Sequence, residues 1–405
     1  MARILYLTQI LPYPLNTGAK VRQYYVLRHL SRNHAVTLLS FVRPEDQPEH
    51  IAHLREFGAA VHTVPMARST WRNVRAVLKA MLTGLPIVIV RDEIAAMQAQ
   101  VRRLLETQKI DVIHADQVSM AQYGLLGRGV RRVLDLHNAM YLVTQRLAEH
   151  EPNLFKRWLS QRETRALARY EPALLQQYDQ VVFVTAEDRG AIEAVSHQTA
   201  GAPANVSIIP ICVDPSEKQP VIPTANPQRV LFLGPLFWPP NAEGVLWFAR
   251  EVWQAIHAQY PQARFTVVGR NPPESVAQLH GKDNIEVTGY LPDLATVLAE
   301  TGALVVPLRA GGGMRVKILD AWCWGLPIVS TSIGAEGINL QDGQNLLLAD
   351  SPAAFAEKVI AVLQDSQLQT RLRQNGRLWV EQQYDWRRVY SAWDDVYAGL
   401  KAAKF

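Results

Sequence analysis

Long apolar runs are missing from this chain. No 18-residue apolar stretch occurs in its 405 residues, which leaves no candidate for a membrane-spanning helix. Cysteine is nearly absent. Cys212 and Cys323 are the only two, both in apolar surroundings, which excludes a disulfide framework and predicts reduced, buried thiols in a cytoplasmic protein. Zinc-finger spacing, an RNA-binding aromatic pattern and a basic zipper are all lacking, so no nucleic-acid partner is expected. Neither a Walker loop nor a G-x-G-x-x-G fingerprint is present. The opening MARILYLTQILPYPL has one cation and a short apolar stretch, but no small-residue cleavage site, and Pro12 and Pro14 follow at once. It reads as a buried first strand, not a signal peptide.

What is present is a globular composition, 48% apolar and 20% charged, on a chain too long for one ordinary core. Short runs rich in Val, Ile and Leu alternate with helical patterns. Strands are expected over 2–9, 35–42, 60–66, 111–116, 131–137 and 180–185, then over 229–234, 263–269, 285–289, 303–308, 327–332 and 345–350. Continuous apolar strands separated by helices indicate parallel sheets covered on both faces. The fold class is α/β, with two Rossmann-like doubly wound domains facing a central cleft. The expected domains are 1–205 and 229–375, joined by a linker over 206–228 that holds five prolines. Helices over 376–405, carrying Trp379, Trp386, Trp393 and Tyr397, are expected to pack back toward the first domain.

Ligands of such sheets bind outside the carboxyl ends of the strands. The informative loops therefore follow residues 9, 137, 234, 269 and 308. The last leads into GGGMRVKILDAWCWG, residues 311–325. Gly311, Gly312 and Gly313, with Met314, form a loop that lets backbone approach a ligand. The helix after it offers N–H groups and a partial positive charge suited to phosphate. Arg315 and Lys317 add full charges, and Asp320, one turn on, can accept two ribose hydroxyls. Gly18 before a helix, Gly234 and Gly269 at strand ends, and His137 at the end of RRVLDLH are the other candidates. Asn241 is a candidate helix cap.

The ordered series FLGPLFWPPNAEGVLWF, FTVVG, IEVTGYLPDL, VVPLRAGGGMRVKILDAWCWGLPIVSTSIGAEGI and DGQNLLLAD resembles the GT4-type retaining glycosyltransferases of the GT-B fold. The likeness runs over nearly the whole chain. It implies transfer of a sugar from a UDP- or GDP-linked nucleotide sugar to a glycan or lipid-linked acceptor. Asp320 falls at the second acidic position of the family's E-x7-E motif, and Gly312 stands at the first. Pro235 stands where an Arg is common. The resemblance makes Arg315 and Lys317 the cations that neutralise the donor diphosphate, places Gly18 near it, and puts His137 against the transferred sugar. No Asp-x-Asp pair is present. With cations and helix ends available for the leaving group, no cofactor and no obligatory metal are expected. An epimerase on the same fold and an inactive nucleotide-sugar-binding partner subunit are the other readings.

Lys and Arg exceed Asp and Glu in the first half, while acids are slightly in excess in the second. The segment 66–91 holds Arg68, Arg72, Arg75, Lys79 and Arg91 and no acid, with Val74, Val77, Leu78, Met81 and Leu82 at helical spacing. It is either a core-facing helix with a solvated basic face or a surface for an anionic membrane at the inner face of the bilayer.

Overall fold

The computed structural model describes residues 1–67, 69–196 and 206–402, so Arg68 lies outside the described residues. Two compact units are formed. Residues 1–212 and 387–405 make the first and residues 213–386 the second.

The first unit carries seven strands: β1 (Arg3–Thr8), β2 (Ala35–Val42), β3 (Ala60–Pro65), β4 (Val112–Asp116), β5 (Arg131–Leu136), β6 (Gln180–Phe183) and β7 (Val206–Ile208). Their spatial order is 3-2-1-4-5-6-7, and every pairing is parallel. The second unit carries β8 (Arg229–Leu233), β9 (Arg264–Val268), β10 (Ile285–Gly289), β11 (Thr301–Val306), β12 (Ile328–Ser330) and β13 (Leu347–Leu348). Their order is 10-9-8-11-12-13, again all parallel. Each sheet therefore reverses direction of growth once, beside β1 and beside β8, the switch points where doubly wound sheets bind ligands.

Burial explains the strand composition. β1, β4, β6, β8 and β11 are buried along almost their whole length, which only apolar side chains on both faces allow. Leu5, Leu39, Ile113, Leu134 and Val181 anchor the first core. In the second unit Phe248, Trp253, Phe265 and Phe355 form a ring cluster, with Phe248 and Phe265 centred 4.7 Å apart.

Two expected boundaries need correction. The linker expected over 206–228 begins with a strand, because Val206–Ile208 pairs with β6 at the sheet edge. The tail expected to pack back from 376 instead stays with the second unit through Trp386. Gly376 lies so close to Trp322 that a Cβ there would stand 2.3 Å from the indole. From Arg387 onward the chain belongs to the first unit, where Trp393 and Tyr397 are buried. Both cysteines are buried thiols. Among the described residues, no helix is long and apolar enough to cross a membrane.

Candidate active site

In the second unit the carboxyl ends of β8 and β11 face the helix Val316–Cys323. Its first residue follows Arg315, whose side chain gives the helix no cap; Ile318 N–H turns back to the Arg315 carbonyl at 2.8 Å, and the positive end of the helix dipole lies at this turn. Lys317 lies in that first turn. Its Nζ donates to Asn241 Oδ1 at 2.9 Å and sits 4.1 Å from the centre of the Phe232 ring. Asn241 is held in turn by Nδ2 donating to the Pro235 carbonyl at 2.8 Å. Asn241 is thus not the helix cap that its position in the sequence indicates. Trp238 occupies that position, and Pro239 fits the first turn. Burial, and then the nearby Arg315 charge, push the Lys317 pKa down to about 7.

The glycines are explained by packing around these cations. A Cβ on Gly234 would lie 2.7 Å from Lys317 Nζ, and one on Gly269 would lie 1.9 Å from the Gly234 carbonyl oxygen. Gly311 leaves room for the Arg315 guanidinium, 2.5 Å from where its Cβ would be. Gly313 has a left-handed φ of 67°. Arg315 is buried and turned back on its own loop, donating to the carbonyls of Gly312, Gly313 and Ile333. It braces the loop in which Met314 is also buried. Asp320 does not pair with Lys317. Its Oδ1 accepts from Lys218, which also stacks 5.4 Å from the Trp324 ring. Oδ2 has no partner among the described residues.

In the first unit the ends of β4 and β5 carry a buried polar cluster. Asp116 and Asp135 are register partners. His137 Nε2 lies 2.9 Å from Asp116 and 3.8 Å from Asp135, and the Gln117 side-chain amide lies 3.2 Å from Nδ1. Arg22 clamps Asp135 with two bonds of 2.9 and 3.0 Å and donates to the carbonyls of Ile209 and Pro210 at 2.8 Å. Burial alone would lower the His137 pKa. The two carboxylates outweigh it and raise the pKa to about 9. Burial would raise the Asp135 pKa, yet the Arg22 guanidinium holds it well below the usual carboxylate range. A pKa of about 9 keeps His137 an imidazolium near neutral pH; Nδ1 then donates, the Gln117 amide turns its oxygen toward it, and the ring in this form is no general base.

Asp116, Asp135 and His137 offer ligand atoms within 4.8 Å of one another. Arg22 and the imidazolium already supply the positive charge there, which a divalent ion would have to displace. Gln117 was not evident from sequence. It has a φ of 70°, an uncommon backbone for glutamine. Gly18 opens the helix Gly18–Asn33 with ordinary helical backbone, and the Thr17 hydroxyl caps it through Lys20 N–H.

Two family models match the chain. Residues 17–212 match the glycosyl transferase 4-like domain, and residues 227–365 match glycosyl transferases group 1. A relative from Klebsiella pneumoniae, an uncharacterised 44.6 kDa protein of the cps region, is 22% identical over 97% of this chain and 99% of its own. The Anabaena HepE structure solved with UDP-glucose aligns over 98% of this chain and 100% of its own, with a TM-score of 0.67 and 15% identity. WaaG, a glycosyltransferase involved in lipopolysaccharide biosynthesis, aligns over 97% and 99%, with a TM-score of 0.61 and 13% identity. These structures share the two-sheet fold. With both halves matched in order, the chain belongs to the group 1, GT4-like glycosyltransferases of the GT-B fold.

Proposed function

We propose that this glycosyltransferase takes a nucleotide-diphosphate sugar, UDP- or GDP-linked, as donor and passes the sugar with retention of configuration to a glycan or lipid-linked acceptor. The observation that carries the reading is Lys317. It is a half-buried cation, held by Asn241 beside the end of β8 at a helix N-terminus without a side-chain cap. A diphosphate is the ligand that such a group is suited to neutralise. HepE, which shares the fold, was solved with UDP-glucose.

The residues divide the work. Lys317 and the helix N-terminus stabilise the charge that grows on the diphosphate as the glycosidic bond lengthens. Arg315 acts as a positioning residue, holding the glycine loop through three carbonyls. Asp320 Oδ2 accepts a ribose hydroxyl, while Oδ1 stays with Lys218. On this reading the departing phosphate takes the acceptor proton from the same face, which needs no protein base and no metal. His137 contributes as a hydrogen-bond donor to the transferred sugar, exchanging Gln117 for a sugar hydroxyl. Arg270, stacked 4.0 Å from the ring centre of the exposed Tyr290, offers a flat cationic surface to the nucleobase.

Thermal stabilisation of the purified chain by UDP, GDP, ADP and dTDP and their sugar conjugates, with and without EDTA, tests the reading. Selective stabilisation by UDP or GDP that EDTA does not change supports it. An absence of any shift, together with no slow donor hydrolysis, would transfer the reading to a partner subunit without activity.

A further inference from the structure

The helix Thr70–Thr83 in the first unit is packed inside out. Ordinary surface helices bury their bulky apolar side chains and expose polar ones. Here the buried residues are the two small ones, Ala76 and Ala80. They meet Val90 and Ile87 in a small core separate from the main one. Trp71, Val74, Leu78, Met81 and Leu82 all face outward, with Trp71 71% and Leu82 89% exposed. At 3.6 residues per turn these five form one stripe on the side opposite Ala76 and Ala80.

A second exposed apolar group lies on another helix of the same unit. The helix Leu154–Leu175 starts with Leu154, Phe155 and Trp158, which are 76%, 69% and 48% exposed. One turn beyond Trp158, Arg162 donates to the Ala80 carbonyl, and Glu163 accepts from the N–H groups of Ile87 and Val88 at 2.8 and 3.1 Å. Phe155, Trp158 and Arg162 share a helix face, and Arg162 ties that helix to the first one at Ala80.

The charges around the stripe have one sign. Arg72, Arg75 and Lys79 lie on the helix, and residues 66–91 contain no acid. Lys156 and Arg157 lie beside the second group. Two acids beside these groups are engaged. Glu93 pairs with Lys79 at 2.7 Å, and Glu151 accepts from the Asn153 N–H at 2.9 Å.

We propose that this face is a membrane-docking surface that lies in the headgroup layer of an anionic bilayer. The apolar stripe enters the acyl boundary, tryptophans sit at the interface, and the flanking cations meet lipid phosphates. Charge complementarity selects this occupant. A second copy of the chain docked face to face would set Arg72 and Arg75 against the same cations. The surface is independent of the donor site, so vesicle binding requires no nucleotide.

The test is co-sedimentation of the full chain with vesicles of phosphatidylglycerol and phosphatidylcholine, and with phosphatidylcholine alone. The expected result is pelleting with the anionic vesicles, weakened by salt. Combining Leu78→Ser, Leu82→Ser, Phe155→Ser and Trp158→Ser should lower the bound fraction roughly tenfold or more. Arg72→Gln with Arg75→Gln should reduce the preference for the anionic lipid. Circular dichroism and stabilisation by nucleotide should be unchanged in both variants. The proposal is overturned if the wild-type chain stays in the supernatant with anionic vesicles, or if the four-residue variant pellets equally well. It is also overturned if light scattering finds a wild-type dimer that the same substitutions dissolve while no vesicles are bound.

Discussion

Lys317 should take up a proton when the donor binds. In the free protein its pKa is about 7, so at pH 8 only about a tenth of the molecules carry the charge. A unit charge at about 4 Å and an effective dielectric near 20 is worth ~4 kcal/mol, or about 3 pKa units. A diphosphate in contact would therefore restore the pKa to about 10. The difference sets the uptake at roughly 0.1 proton per donor at pH 6, about half at pH 7 and about 0.9 at pH 8. Because the free pKa lies below the bound one, affinity is greatest below pH 7 and falls about tenfold per unit as the pH rises toward the bound value. The donor should be the nucleotide sugar, since its phosphates are diesters and keep their charge over this range. Calorimetry at each pH in two buffers of different ionisation enthalpy gives the uptake directly. Lys317→Met should bind more weakly and show no uptake at any pH. Near-zero uptake by the wild-type chain at pH 8, or equal uptake by Lys317→Met, would refute the assignment of Lys317 to the diphosphate.

Other substitutions separate packing from binding. Gly234→Ala puts a Cβ against the flexible end of Lys317 at a backbone φ of 155° that alanine rarely adopts, so nucleotide affinity and melting temperature should both fall. Gly269→Ala meets the backbone carbonyl of Gly234 at 1.9 Å and should lower the melting temperature markedly. Asp135→Ala leaves the fully buried Arg22 uncompensated and should cost about 3–5 kcal/mol in denaturant titration. His137 has its folded pKa raised to about 9 from the ordinary 6.5 of histidine. Its stabilising contribution is full below pH 6.5 and fades as the pH rises through 9, so His137→Gln should destabilise more at pH 6 than at pH 9.5. The difference is at most about 3 kcal/mol.

Among the described residues, twelve of the thirteen strands can be read from sequence because parallel strands covered on both faces must be apolar along their length, as ARILYLTQ and ALVVPL are. The missed one, Val206–Ile208, is three residues at a sheet edge in a proline-rich neighbourhood, where neither length nor composition separates strand from linker. The candidate site divides along a different line. Lys317 and Asp320 are recognisable because the glycine loop and the helix that follows it are local. Their partners are not, since Asn241 lies 76 residues from Lys317 and Lys218 lies 102 from Asp320. Those partners decide what each charge can do. Without Asn241, Lys317 is one more surface cation. With it, the ammonium is held among protein atoms, where its charge is costly until an anion arrives. The same limit applies to the basic helix. Periodicity identifies a stripe of Val74, Val77, Leu78, Met81 and Leu82, but a stripe does not state which way it faces. That depends on what the small residues between its turns can pack against. Ala76 and Ala80 fit closely over Ile87 and Val90, which leaves the larger side chains facing outward.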